Sequence, residues 1–163
     1  MEITVKIATR ELKYAIKNKT YVTARSMEAT GKMTSEAVSH MQASEDDENA
    51  YELSRAITSA IAEVKEELSE YLESDESKND NLVNSLVEEG EPITFKFDMP
   101  SNYDKSSVEA LITGIHDYVV CRSIYEWYRE TCPELAAACK TDAADAMIRA
   151  KKSMYKRTRP VRG

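Results

Sequence analysis

Glycine and proline are scarce in this chain, which limits how often its backbone can turn. The 163 residues include four glycines and four prolines. A sandwich or barrel of short strands needs turn-forming residues at frequent intervals, whereas long helices need few connections. The sequence therefore predicts a mainly helical chain, long enough for a single domain with a substantial core.

Two short segments alternate apolar and polar residues, which is the period of a strand that buries one face. They are "EITVKI" at residues 2–7 and "ITFKFDMP" at residues 93–100. We expect the two to pair. Because a lone two-stranded ribbon is marginal in water, it must pack on helices or extend into a sheet shared between subunits. The expected inward residues are Ile3, Val5, Ile7, Ile93, Phe95, Phe97 and Met99.

The sequence after the first strand predicts a short helix and then a long loop. Thr9 is the expected N-cap of a helix that ends near Lys19. Residues 20–49 are rich in Ser, Thr, Ala and Met without strong periodicity, and predict a long loop or arm with one helical turn near residues 35–41. A loop of this length is uncommon in a compact domain unless it is functional, so it is a candidate contact arm.

An amphipathic pattern predicts the next helix, from about Asp47 to Leu72, with acidic residues at its start that complement the helix dipole. Residues 73–81 predict a solvated linker, and residues 82–87 contain a brief apolar patch.

The second half of the chain predicts two long helices. Ser106 and Glu109 form the pattern of a capping box before an extensively apolar helix, which is the expected centre of the fold. Pro133 suits the first turn of an alanine-rich helix from about Glu134 to Tyr155, whose small side chains permit close helix packing. The predicted architecture is a mainly α bundle of about four helices with a small two-stranded β element. The sequence also predicts a single domain over residues 1–155 and an extended basic tail over residues 156–163.

Familiar catalytic and cofactor-binding patterns do not occur in the sequence. The four glycines are scattered and form no phosphate-binding loop. His116, next to Asp117 in a predicted helix, is more typical of a hydrogen-bonded boundary residue than of a catalytic base. An enzyme of unfamiliar type that uses His116 with nearby carboxylates is the alternative.

Three cysteines without C-x2-C spacing indicate small buried hydrophobic residues in a reducing compartment. A metal site formed by His116, Cys132 and Cys139 is the other interpretation, although the spacing matches no familiar ligand pattern. We therefore expect no metal, no cofactor and no enzymatic activity. The N-terminus lacks the apolar run of a signal peptide, and no stretch approaches the roughly 18 apolar residues of a membrane span. The expected protein is soluble and intracellular, without a membrane partner.

Charge is strongly segregated along the chain, whose net charge is −7. Residues 45–91 carry 16 acidic and three basic side chains, and the last fifteen residues carry seven basic and no acidic ones. Opposite blocks of this kind attract copies of one protein to each other, or one end of the protein to an acidic partner.

The basic C-terminus has three interpretations. Its cations can contact nucleic-acid phosphates, or they can enter an acidic protein groove with Tyr155 and Pro160 as anchors. They can also form a frayed end that only complements a helix dipole. The acidic charge of the whole chain favours a protein partner over nucleic acid. The expected partner-binding residues are Lys151, Lys152, Tyr155, Lys156, Arg157, Arg159, Pro160 and Arg162.

The order of several landmarks resembles the head-tail connector (adaptor) proteins of tailed bacteriophages and prophages. These are "EITVKI", the acid-capped helix, "ITFKFDMP" followed by "SNYD", a long helix ending in "EWY", an alanine-rich helix and the closing "YKRTRP". The likeness covers about residues 45–160. Proteins of that class are mainly helical and form a ring beneath the portal, with a terminal segment that grips the portal or neighbouring subunits.

The resemblance implies a structural virion protein at the head-tail interface, assembled in the cytoplasm of a bacterial host. It implies a homo-oligomeric ring, docking on the portal protein and on the next neck or tail component, and DNA passing through the channel. The portal contact would fall on the partner-binding residues of the C-terminus. A DNA-binding accessory protein that uses the same basic C-terminus is the alternative, and the number of subunits is left open.

Overall fold

The computed structural model describes residues 1–41, 47–74, 86–87 and 90–162. Within these residues the chain forms five α-helices and a two-stranded antiparallel sheet, which confirms the predicted mainly helical fold with a small β element. Short 3-10 turns occupy Ser69–Tyr71 and Lys105–Ser107. The elements are β1 (Glu2–Ile7), α1 (Thr9–Ala29), α2 (Ser35–Met41), α3 (Asp47–Glu67), β2 (Ile93–Asp98), α4 (Val108–Thr131) and α5 (Pro133–Met154).

The two strands pair as predicted. They run antiparallel with Val5 opposite Phe95, and their inward side chains are buried while the alternate ones face outward. The rings of Phe95 and Phe97 stack with centroids 6.2 Å apart. The N-terminal ammonium of Met1 donates to the Met99 carbonyl at 2.8 Å, so the ladder extends beyond both strands. The apolar face of the ribbon thus belongs to the main core.

The two long edges of the ribbon differ. The Glu73 amide donates to the Lys96 carbonyl at 3.0 Å, and Leu72 forms an isolated antiparallel bridge with Phe97. The chain that follows α3 therefore covers the edge of β2. Among the described residues, no strand pairs with the outer edge of β1.

Helix α4 is the centre of the bundle, since α1, α2, α3, α5 and β1 all pack on it. Its closest approach is to α5, where a Cβ atom on Gly114 would lie 2.9 Å from the backbone nitrogen of Ala150. Because that distance is too short for a real Cβ contact, the two helices can meet this closely only where one of them has glycine. Ala150 of α5 lies at this contact, in agreement with the prediction that the small side chains of α5 permit close helix packing.

Helices α1 and α3 lie on opposite sides of α4. On one side, Nε2 of His116 lies 2.5 Å from the Glu11 carboxylate of α1. On the other side, Tyr118 and Arg122 both donate to the Glu63 carboxylate of α3. An α-helix turns by about 100° per residue, so the side chains of His116 and Tyr118 project about 160° apart. The outward surfaces of α1 and α3 therefore face in opposite directions.

We expect the ionisation of Glu63 to make the free energy of unfolding depend on pH in the acidic range. Arg122 donates from Nε and Nη2 to the two Glu63 oxygens at 2.8 and 3.0 Å, and these bonds hold the pKa of the carboxyl below its ordinary value of 4.5. A carboxyl whose folded pKa is lower than its unfolded pKa stabilises the fold above the unfolded value, and this contribution is lost as pH falls through the folded value. We expect Arg122→Met to remove this contribution, so that the loss of unfolding free energy between about pH 7 and pH 3 becomes smaller than in the wild type.

Urea unfolding at the two pH values measures this difference. Arg129→Met is the matched control, because Arg129 lies on the same helix with a side chain 56% exposed, against 24% for Arg122. If the Arg122→Met chain loses as much stability in acid as the wild type and the control, Glu63 does not have the assigned role.

The prediction of a long loop or arm over residues 20–49 is wrong. Most of that range belongs to α1, α2 and the start of α3, although α2 does form where the sequence indicated a helical turn. The second half of α1 buries Thr20 and Ala24, whose small side chains give a weak hydrophobic signal. Gly31, at φ 70°, follows the helix in the left-handed conformation typical of a C-terminal stop. Residues 42–46 lie outside the described residues.

Two predicted helix caps are also wrong. Ala8 precedes α1 in place of Thr9, whose hydroxyl donates across the fold to a backbone carbonyl at 2.8 Å. Ser106 and Glu109 do not form a capping box, because Ser106 lies in a 3-10 turn that precedes α4 and its amide donates to the Asp104 carboxylate at 3.0 Å. Asp104 thus caps the 3-10 turn, and no side chain that the structure describes caps α4 itself.

Smaller differences concern helix ends. Helix α3 ends at Glu67, and a 3-10 turn takes the place of its predicted last turn. Helix α5 begins at Pro133, which fits a residue that lacks an amide proton. Of the predicted linker at residues 73–81 the structure describes only residues 73–74, and residues 82–85 of the apolar patch are likewise outside the described residues.

Candidate docking site at the end of the last helix

The basic C-terminal residues leave α5 through a capped helix end. We call residues 155–162 the terminal segment. Nη1 of Arg157 donates to the carbonyls of Met154 at 2.7 Å and Lys156 at 3.2 Å. The last carbonyls of a helix lack partners within the helix and carry partial negative charge, so a guanidinium at this position is stabilising. Arg157 is therefore a structural part of the fold.

The start of the terminal segment pairs with the latch loop, residues 100–104. The Thr158 amide donates to the Asn102 carbonyl at 2.8 Å, and the Asp104 amide donates to the Lys156 carbonyl at 3.1 Å. The two segments also form an isolated antiparallel bridge. These backbone bonds fix the direction in which the rest of the terminal segment leaves the molecule.

Tyr103 anchors the latch loop. Its side chain is 2% exposed, and its hydroxyl donates to the Ser153 carbonyl near the end of α5 at 3.1 Å. Burial raises the pKa of the phenol, so the hydroxyl stays a donor at neutral pH. One side chain therefore holds both the loop and the helix end from which the terminal segment departs.

An ionic contact reinforces the same junction at the surface. Nζ of Lys156 donates to the Ser106 hydroxyl at 2.9 Å and lies 3.6 Å from the Asp104 carboxylate. A hydrogen bond from the Ser106 amide, followed by weaker contributions that include Lys156, lowers the pKa of the Asp104 carboxyl. Lys156 thus serves the attachment of the terminal segment to its own fold.

An open groove of about 820 Å³ lies beside this junction, between the start of α4 and the end of α5. Ala110, Thr113 and Gly114 line it from α4, with Lys152 and Tyr155 on the opposite wall. The Tyr155 ring is 56% exposed and contacts the Tyr71 ring edge-on, with centroids 6.0 Å apart. The groove has an apolar floor, basic and aromatic side chains from the end of α5 and Glu109 on the α4 side, so it suits a partner segment that carries both apolar and charged side chains.

The terminal segment ends as an exposed strip. Beyond Thr158, all residues to Arg162 are exposed, and Val161 is 95% exposed. Within the described part of the chain, neither Arg159 nor Arg162 forms an ion pair. The backbone is attached up to Thr158, and the four residues that follow are available to a partner.

The structure therefore divides the predicted partner-binding residues into two groups. Lys156 and Arg157 attach the segment to the fold, and Lys151 forms an ion pair with Glu67 at 2.5 Å. The residues that face outward at the groove or along the strip are Lys152, Tyr155, Arg159, Pro160 and Arg162.

Sequence reasoning missed the latch loop as part of this site. Tyr103 and Asp104 carry the attachment, but they lie about fifty residues from their partners Ser153 and Lys156 along the chain. The only sequence signal was the run "PSNYD", a turn-forming stretch with one aromatic and one acidic residue.

The other candidate residues do not converge on this site. His116 lies between two carboxylates, with Nε2 2.5 Å from Glu11 and Nδ1 3.2 Å from Asp117, and links α1 to α4. The three cysteines are free thiols, of which Cys132 is buried, and burial raises the pKa of the Cys139 thiol to about 11. In the described ranges no three His, Cys, Asp or Glu side chains are grouped to hold a metal ion.

Comparison of the chain with models of protein families, with curated proteins and with solved structures gives no match. None of the helices in the described residues combines the length and the apolar character needed to cross a bilayer.

Proposed function

We propose that the protein is a non-enzymatic assembly subunit of the head-tail connector type, which docks on a portal protein through its terminal segment. The observation that carries this proposal is the attachment of the chain at Thr158 followed by an exposed strip. Such an arrangement presents Arg159 and Arg162 in a fixed direction, so less conformational entropy is lost on docking than with a wholly free tail.

The chemistry of the strip fits a protein partner. Pro160 restricts its backbone, and extended proline-containing segments dock in grooves with little ordering cost. The two arginines each offer a planar set of donors suited to carboxylates. Val161 adds an apolar side chain that is almost wholly exposed until a partner covers it. The layout resemblance adds the connector role, a ring beneath the portal at the head-tail interface of a virion.

A truncation that ends the chain at Thr158 tests the proposal. The full-length chain and the truncated chain are each mixed with the purified portal protein encoded in the same phage or prophage genome, and binding is measured by titration. We expect the truncation to weaken binding by about 30-fold or more, because a buried arginine anchor commonly contributes 2 kcal/mol or more. Unfolding of the two chains should be the same, since every attachment contact is retained.

A charge-matched control separates anchoring from general electrostatics. Lys32→Ala with Lys96→Ala removes two positive charges from exposed positions elsewhere on the surface. The control should bind the portal like the wild type. Equal weakening by the control and the truncation, or full binding by the truncated chain, would refute docking through the strip. Binding of the truncated and full-length chains to duplex DNA at two salt concentrations tests the alternative, a DNA-binding accessory protein.

A further inference from the structure

Helix α1 carries a second, outward surface that its buried face does not explain. We call Tyr14, Asn18, Tyr21, Val22 and Arg25 the α1 outer face. These positions recur every three to four residues and so align along one side of the helix. Tyr14, Tyr21 and Val22 are 70%, 50% and 56% exposed. Three of the large apolar or aromatic side chains left exposed by this fold thus share one stripe.

The helix that carries the stripe is basic as a whole. Helix α1 carries five Lys or Arg residues and two Glu residues. The guanidinium of Arg25 lies 6.0 Å from the centre of the Tyr21 ring, and Nη1 lies 3.6 Å from the Glu28 carboxylate. Arg10 is exposed one turn before Tyr14. Tyrosine and arginine are the residue types most enriched at the centres of protein interfaces, so this composition indicates a docking surface.

An acidic surface of the same chain lies on the opposite side of the bundle. We call Glu66, Glu70 and Glu73 the α3 acidic end. All three are exposed, and residues 66–73 contain four acidic and no basic side chains, while Lys65 and Lys96 line the groove beside Glu73 and Lys151 pairs with Glu67. Because α1 and α3 pack on opposite sides of α4, the two surfaces cannot meet within one molecule. Two molecules placed side by side can bring them together.

We infer that the α1 outer face of one copy docks on the α3 acidic end of the next copy, which gives a head-to-tail contact between subunits. This inference rests on the proposed role as an assembly subunit. A contact between two different patches forms a ring when the rotation that relates each subunit to the next returns to the first subunit. Pairing of one α1 outer face with another is disfavoured, because the exposed Arg10 and Arg25 would face like charges.

Charge reversal on each surface tests the contact. One variant carries Arg10→Glu and Arg25→Glu on α1, and the other carries Glu66→Lys and Glu70→Lys on α3. All four positions are exposed, so both variants should unfold like the wild type. Self-association is measured by sedimentation as a function of protein concentration. Each variant alone should associate about tenfold or more weakly than the wild type, since like charges then meet at the contact.

Mixing the two variants gives the decisive result. In an alternating assembly the reversed α1 of one variant meets the reversed α3 of the other, and the remaining contacts are those of the wild type. We expect the equimolar mixture to recover wild-type association. A single chain that carries all four substitutions should recover it as well.

Other results would overturn the inference. These are wild-type association in either variant alone, a mixture that fails to recover, and a wild-type chain that stays monomeric at every concentration. If the α1 variant associates with the wild type and the α3 variant self-associates like the wild type, the contact is instead between paired α1 helices. Loss of duplex-DNA binding in the α1 variant with unchanged self-association would indicate a nucleic-acid surface. Portal binding is measured separately on the same variants. If they bind the portal but the contact between copies fails, this inference is wrong and the proposed function stands.

Discussion

Replacing Tyr103 with alanine is expected to lower the free energy of unfolding by about 3–5 kcal/mol, the range for removal of a large buried ring. The side chain is 2% exposed, and its hydroxyl is bonded to Ser153 near the end of α5. Tyr103→Phe keeps the ring and loses only that hydrogen bond, so its expected cost is about 0.5–1.5 kcal/mol. Urea unfolding of the two variants separates packing from hydrogen bonding.

The same substitution should loosen the terminal segment before the chain unfolds. The Thr158 amide is bonded to Asn102, next to Tyr103 in the latch loop. Its hydrogen exchange should therefore speed up in Tyr103→Ala and change little in Tyr103→Phe. Tyr51→Ala removes a 53% exposed ring and is the matched control, with an expected change within about 0.5 kcal/mol. A Tyr103→Ala chain that keeps both its stability and its slow exchange at Thr158 would show that the loop does not hold the segment.

Replacing Phe97 with alanine is the second large effect, with an expected loss of about 3–5 kcal/mol. Phe97 is fully buried, stacks on Phe95 and lies at the bridge with Leu72, so the cavity would open where the ribbon joins the helices. Lys96→Ala is the control, because the neighbouring side chain points to the exposed face of the same strand. Its expected cost is within about 0.5 kcal/mol. Equal losses for the two variants would mean that the ribbon is not part of the main core.

The elements that the sequence predicted correctly are those whose buried positions carry large apolar side chains. The ribbon follows from alternation at Val5, Phe95 and Phe97, and α4 follows from a nearly continuous apolar surface. For the ribbon, one residue type and one period are sufficient to show which face is buried, whereas the all-round apolar character of α4 indicates a central helix.

The length of α1 could not be predicted in the same way. Its buried positions keep a four-residue spacing from Leu12 to Ala24, but the later ones, Thr20 and Ala24, are small or polar and resemble a loop in composition. The exposed Tyr14, Tyr21 and Val22 obscured the pattern further, because they place apolar character on the outer face. The period of the buried positions and the stop at Gly31 were the available signals.

The candidate site was predictable only in part. The concentration of positive charge marked the terminal segment, and its last residues do lie exposed. The sequence did not show that Lys151, Lys156 and Arg157 have partners within the fold, because those partners are either distant in sequence or backbone carbonyls. Charge alone therefore overestimated the number of side chains available to another molecule.

The most direct measurement is an electron cryo-microscopy map of the full-length chain bound to the portal protein encoded in the same genome. We expect a ring of copies in which Arg159 to Arg162 are ordered against the portal and both arginines contact acidic side chains. A map in which the portal is bound but the density of each copy ends at Thr158, or in which the strip faces solvent, would contradict docking through the terminal segment.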